Sequence, residues 1–242
     1  MHRLTKQELH DLKALHRKRG REEQNLFLIE GEKIVLEALV CPYISVKKVL
    51  CTENYDPSTL RFEKDTIHVS PSEMARISAL KSPQDVVAVC QLPVSNPPSG
   101  KRMLCLDGIQ DPGNLGSILR IADWFGVPDV VLSSGSVDCF GPKCVQASMG
   151  SIFRVKVHYL PLVPFLLKTE LPIYGAVLDG TPLKAITWKN EGILVIGGEG
   201  SGISIPVHSL LTERVTIPRL GGAESLNAAI ACGILCAKWH ES

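Results

Sequence analysis

Apolar positions along the chain fall into short blocks of two alternating kinds. Leu9, Leu12 and Leu15 recur at helical spacing behind Thr5 and Glu8, a pair placed as a capping box, so a helix is expected near the start. "NLFLIEG" reads as a strand, "EKIVLEALV" as a helix and "VKKVLC" as a second strand. "PSEMARISAL" begins with the Pro and Ser that favour a helix start. "DVVAVCQL" is an unbroken apolar run suited to a buried strand. The alternation predicts a small α/β unit over residues 1–92.

"LPVSNPPSGK" (92–101) interrupts the pattern. Its two adjacent prolines disfavour both helix and central strand, so residues 93–101 are read as a linker between two domains. The alternation then resumes over 102–242. "MLCLDGI" is a strand, "DPGN" a polar loop and "LGSILRIADWFGV" a helix with Leu115, Ile118, Leu119 and Ala122 on one face. "DVVLSS" is a strand and "PKCVQASMGS" a short helix. "PIYGAVLDG" and "GILVIGGEGSG" are strands that end in glycine-bearing loops. "RVTIPRL" is the last strand, and the last helix runs from Ser225, as N-cap, to Trp239. These strands show little apolar/polar alternation, which suits a mostly parallel sheet covered on both faces.

Composition narrows the class. The 242 residues are 45% hydrophobic and 21% charged, as in a globular protein with ample core. Net charge is +1, so any polyanion site must be local. Residues 1–24 carry seven Lys/Arg against four Asp/Glu, including Arg17, Lys18, Arg19 and Arg21. That helix reads either as a solvated face or as a phosphate-tracking patch for RNA. A polar, acid-bearing N-terminus without an apolar core gives no secretory signal, and no apolar run approaches a membrane span, so a cytoplasmic protein is expected. The eight cysteines form no CxxC pair and several sit in apolar runs, as buried reduced thiols would. Seven scattered histidines offer no metal-ligand spacing.

Three loops concentrate chemistry, each directly after an expected strand: "DGIQDPGNLGSILR" (107–120), "GGEGSGIS" (197–204) and "PRLGGAESLN" (218–227). In parallel α/β sheets, loops at the carboxyl ends of strands share one edge and converge on a crevice. The glycine loop has no Gly-Lys-Ser/Thr of a phosphate loop and misses the GxGxxG spacing of a dinucleotide site.

Taken together, the loops resemble the three signature motifs of the SpoU-type RNA 2′-O-ribose methyltransferases of the SPOUT superfamily. "NLGSILRIADWFGV" is similar to the first motif, "LVIGGEGSGIS" to the second and "IPRLGGAESLNAAIACGI" to the third, over about residues 103–240. "RKRGREEQNLFLIEGEKIVLEAL" and "KSPQDVVAV" resemble the ribosomal-protein-like RNA substrate-binding domain that often precedes this catalytic domain.

The resemblance implies a C-terminal deep trefoil knot that binds S-adenosyl-L-methionine, and a homodimer formed through that domain. It implies Asn114, Arg120, Glu199, Ser225 and Asn227 as catalytic residues. Gly197, Gly198, Ile217, Pro218, Leu220 and Leu226 would bind the cofactor. Arg17, Lys18, Arg19 and Arg21 would contact RNA, with rRNA ahead of tRNA, and neither metal nor membrane is implied. Arg219 stands where the family usually has Met, and Gln146 where a basic residue is common. Two rivals remain open on sequence: a catalytically silent RNA-binding relative, and a nucleotide-dependent metabolic enzyme.

Overall fold

A computed structural model of the protein describes residues 4–60, 62, 66–94 and 96–241. Its contacts group the chain into two units, Met1–Val94 with Phe140–Phe153, and Ser95–Cys139 with Arg154–Ser242.

The first unit is a four-stranded mixed sheet with helices on both faces. In chain order it contains α1 (Lys6–Ala14), α2 (Lys18–Gln24), β1 (Leu26–Glu30), α3 (Glu32–Val40), β2 (Val46–Thr52), β3 (Thr66–Val69), α4 (Pro71–Ile77) and β4 (Val86–Gln91). Strand order is β1-β4-β2-β3, antiparallel except for β2 with β3. Leu9, Leu12 and Leu15 pack with Met74 and Ile77 over Leu28, Leu50, Val87 and Val89. Capping boxes start α1 at Thr5–Glu8 and α4 at Ser70–Glu73.

The expected basic helix is two helices. α1 stops at Ala14, α2 begins at Lys18, and Arg21 is only 4% exposed, its Nη1 donating to the Leu15 carbonyl at 2.7 Å. Gly20 sits in the corner, where a Cβ would lie 2.1 Å from the Ala14 carbonyl oxygen. A hydrophobic period of 3.6 runs through such a break unchanged, so the sequence does not reveal it. β3, short and only partly buried, was also not anticipated.

The segment after the next unit's second strand packs with the first unit. Its helix is Pro142–Ser148, and Phe140 stacks against Phe27 with ring centroids 4.9 Å apart.

The second unit is a six-stranded sheet in which neighbouring strands pair parallel throughout the described residues. Its strands are β5 (Arg102–Asp107), β6 (Asp129–Leu132), β7 (Lys156–Tyr159), β8 (Ile173–Pro182), β9 (Gly192–Gly197) and β10 (Glu213–Thr216), in the order β10-β8-β9-β5-β6-β7. The helix at 142–148 is α6 in chain order. α5 (Pro112–Trp124) and α9 (Ala228–His240) pack on each other, and α9 also meets β9. α7 (Leu162–Leu166) and α8 (Ile205–His208) contribute Leu162, Leu166 and Val207 to a core with Met103, Cys105, Val131, Ile193 and Val195. Interior residues of β5, β6 and β9 are buried, which is why these strands read as continuous apolar runs.

Chain order and strand order reverse between β5 and β9. From β5 the chain proceeds outward through β6 and β7, then crosses to fill β8, β9 and β10 on the other side. Such a switch point opens a crevice at the carboxyl ends of the two central strands. At the opposite end, the Trp239 indole donates to the Lys189 carbonyl at 2.7 Å and packs near Tyr174 and Trp188, which pins the end of α9.

Seven of the eight cysteines are buried and all are free. Burial pushes the Cys90 thiol up to about 12. Under native conditions iodoacetamide at pH 8 should therefore label Cys41, the half-buried thiol, and label the rest only after unfolding; mass spectrometry of peptides reads this directly. Gly20→Ala should lower unfolding free energy in urea by about 1–3 kcal/mol, because a backbone carbonyl cannot move aside as a side chain can.

Candidate active site

The loop after β5 starts from Asp107. Its carbonyl accepts from Gly198 N at 2.9 Å and its carboxylate from Ser204 N at 2.8 Å, so one residue fixes both ends of the glycine loop after β9. Gly198 and Gly202 form an antiparallel bridge, and Gly202 adopts a positive φ of 62°. A Cβ on Gly197 would lie 2.1 Å from the Gly202 carbonyl carbon, and one on Gly198 would lie 2.6 Å from the Gly108 oxygen. These glycines are needed because backbone crosses backbone here. Glu199 projects from the turn so formed and is exposed.

α5 begins earlier than expected. Asp111 is its N-cap, accepting from Asn114 N at 2.7 Å, and Pro112 occupies the first turn. "DPGN" is thus a helix start, and its signal was the Asp-Pro pair. The cap places Asn114 in the first turn, at the switch point.

The third segment also differs from expectation. β10 ends at Thr216, and α9 starts at Ala228, capped by Asn227. The Asn227 Oδ1 accepts from Ala229 N at 3.0 Å and Ile230 N at 3.3 Å. Ser225 is exposed and is not the cap.

These three segments meet. Asn114 Nδ2 donates to Glu199 Oε1 at 2.5 Å. Asn227 Nδ2 donates to the same oxygen at 2.9 Å and to Asn114 Oδ1 at 2.8 Å. Side chains 85 and 28 residues from Glu199 converge on one carboxylate oxygen.

This chain matches the model of the SpoU rRNA Methylase family over residues 101–237 and that of the MRM3-like substrate binding domain over residues 6–88. The chain belongs to the SpoU rRNA methylase family. It is similar to the 23S rRNA (guanosine(2553)-2′-O)-methyltransferase RlmP of Bacillus subtilis, at 35% identity over 95% of this chain and 94% of that one. It also resembles two solved structures over nearly their whole lengths. One is a TrmH-family chain from Porphyromonas gingivalis, 39% identical with a TM-score of 0.88, covering 98% of each chain. The other is an AdoMet-bound rRNA methyltransferase from Sinorhizobium meliloti, 26% identical with a TM-score of 0.87, covering 99% of this chain and 97% of that one.

Within this SpoU-family chain, the remaining expected residues are placed less closely. Arg120 is exposed on α5, six residues beyond Asn114, without a hydrogen-bond or ion-pair partner among the described residues. Ile217 is half-buried, whereas Pro218, Leu220 and Leu226 are exposed, Leu220 completely so at 101%. Arg219 Nη1 donates to the Ala223 carbonyl at 3.2 Å, across Gly221 and Gly222. In the first unit, Arg17 is exposed, Lys18 lies 3.8 Å from Glu22, and Arg19 pairs with Glu23 at 2.7 Å. Arg21, expected to contact RNA, is buried and bonds the end of α1. Asp107 and Asp111 were missed, since a strand-end Asp and an N-cap Asp look like ordinary loop residues without a partner in view.

Asn227→Ala removes the α9 cap and both donors to the cluster. Thermal and urea unfolding should show a loss of about 0.5–2 kcal/mol for the cap alone. Asn227→Ser keeps a capping oxygen and should recover that part.

Proposed function

We propose that this chain is an S-adenosyl-L-methionine-dependent RNA methyltransferase acting on a ribose 2′-hydroxyl, of rRNA rather than tRNA. The observation that carries the reading is the meeting of Asn114, Glu199 and Asn227 at the switch point of the sheet. The relative RlmP is named as a 2′-O-methyltransferase, which supports the choice of acceptor.

The residues present fit such a donor. Gly197 and Gly198 let the glycine loop fold back tightly on Gly202 and Gly108, a turn that side chains would block. Ile217, Pro218, Leu220 and Leu226 supply apolar surface in the segment that leads to Asn227, and a fully exposed Leu220 gains by being covered. When bound, the sulfonium supplies an electrophilic methyl group. The chain's own part is to align the ribose oxygen with it and to manage the proton that oxygen loses. Arg120 has only donors, so its part is to grip a neighbouring phosphate or to stabilise negative charge on the oxygen, rather than to take the proton. Ser225, exposed beside the cluster, is a further hydroxyl for ribose or phosphate.

The reading includes a trefoil knot in the C-terminal domain. It also includes a homodimer. α9 is apolar around its whole circumference, yet Ile230 is 56% exposed, and Trp124 at the end of α5 is 84% exposed. A helix apolar on all sides belongs in an interior, which a second copy across a two-fold axis would complete. The domain division at 93–101 remains part of the proposal, with the first domain gripping RNA through Arg17, Lys18 and Arg19. Its place of action is the cytoplasm. Among the described residues no helix is long and apolar enough to cross a membrane, and no cluster of ligating side chains suits a metal.

The test is transfer of labelled methyl from S-adenosylmethionine to bulk rRNA, with the product nucleotide mapped. Arg120→Ala should lower the rate by about 100-fold or more while leaving stability and S-adenosylhomocysteine affinity intact. Equal incorporation would remove Arg120 from the chemistry. No incorporation by the unaltered chain, despite cofactor binding, would favour a silent RNA-binding relative. Sedimentation should give a dimer that Ile230→Asp dissociates.

A further inference from the structure

Three groups meet in the cluster, but they are not equally available to a substrate. Both hydrogens of Asn227 Nδ2 are engaged, one by Asn114 Oδ1 and one by Glu199 Oε1. Its Oδ1 already accepts two backbone N–H groups of α9. A primary amide has two donors and one acceptor oxygen, so Asn227 is fully occupied and can only hold the others in place. Asn114 uses its Oδ1 and one of its two hydrogens within the cluster. Glu199 accepts both donors on Oε1, and Oε2 has no hydrogen-bond partner among the described residues. The cluster therefore presents outward one carboxylate oxygen and one amide hydrogen.

We infer that Glu199 Oε2 is the acceptor of the ribose 2′-hydroxyl proton, and that Asn227 is a positioning residue that aims it. This rests on the methyltransferase reading above and divides labour within that site. A 2′-hydroxyl that attacks a sulfonium methyl must give up its proton to an acceptor. Arg120, the charged alternative, has none to offer. In the step, the 2′-oxygen forms a bond to the methyl carbon and the carbon–sulfur bond breaks. The electron pair of that bond stays on sulfur, and the hydroxyl proton passes to Oε2. Two donors on Oε1 fix the carboxylate's rotation, so Oε2 points outward without the entropy of a free side chain.

Glu199→Gln separates acceptor from clamp. Its amide oxygen can still receive the Asn114 and Asn227 donors, while an NH2 group replaces Oε2. In single-turnover assays on rRNA, E199Q should lose about 10²–10⁴-fold in methyl transfer. Calorimetry should give S-adenosylhomocysteine affinity within threefold of the unaltered chain, and the melting temperature should be unchanged. Asn227→Asp should behave differently, losing both donors and setting a second carboxylate against Glu199. Its melting temperature and S-adenosylhomocysteine affinity should both fall, and N227S should recover the former in part. Transfer by E199Q within threefold of normal would overturn the inference. So would loss of cofactor affinity in E199Q, which would make Glu199 a cofactor or clamp residue. Failure of the unaltered chain to methylate rRNA would instead refute the broader functional reading.

Discussion

A single carboxylate oxygen receives amide donors from two segments far away in sequence, and the site depends on that meeting. Hydrogen bonds in so exposed a position contribute little to stability, because water competes for every partner. The cluster therefore cannot hold its own loops in place. That work is done by the buried strands, by the backbone bond from Gly198 N to the Asp107 carbonyl, and by Trp239, which pins the far end of α9. The buried sheet provides rigidity, and the cluster converts it into an aim for one oxygen atom.

The parallel sheet explains why such a cluster forms at this place. Strand order reverses between β5 and β9, and the loops that follow these two central strands meet at that point, through Asp107 and through Asn114 with Glu199. The start of α5, the turn carrying Glu199 and the cap of α9 are joined there by side-chain hydrogen bonds. Each motif is a strand end followed by a turn or a helix start, which puts polar groups at the rim while the apolar strands stay buried. Membership of the SpoU family agrees with this geometry, and the division of roles within the cluster follows from counting donors and acceptors.

Much of this was legible in the sequence. Thr5 with Glu8, and Pro71 with Ser72, marked two helix starts, and the apolar runs located β1, β4, β5, β6 and β9. What escaped was tertiary in origin. The break between α1 and α2 is made by Gly20 against Ala14 and by the buried Arg21, whereas the sequence shows only a continuous basic stretch. Ser225 has the right side chain for a cap, but the helix begins two residues later and Asn227 takes that role. The motifs named Asn114, Glu199 and Asn227, yet nothing in one dimension distinguishes a fully occupied amide from a carboxylate oxygen left open.

The most direct measurement is a crystal structure with S-adenosylhomocysteine and a short ribo-oligonucleotide. The account predicts the cofactor product against Gly197, Gly198 and the 217–226 segment, with Leu220 covered. It predicts a ribose 2′-oxygen within hydrogen-bonding distance of Glu199 Oε2, and Asn227 unmoved. A nucleotide bound away from this edge of the sheet, or a ribose held by Asn227 while Glu199 Oε2 faces solvent, would contradict it.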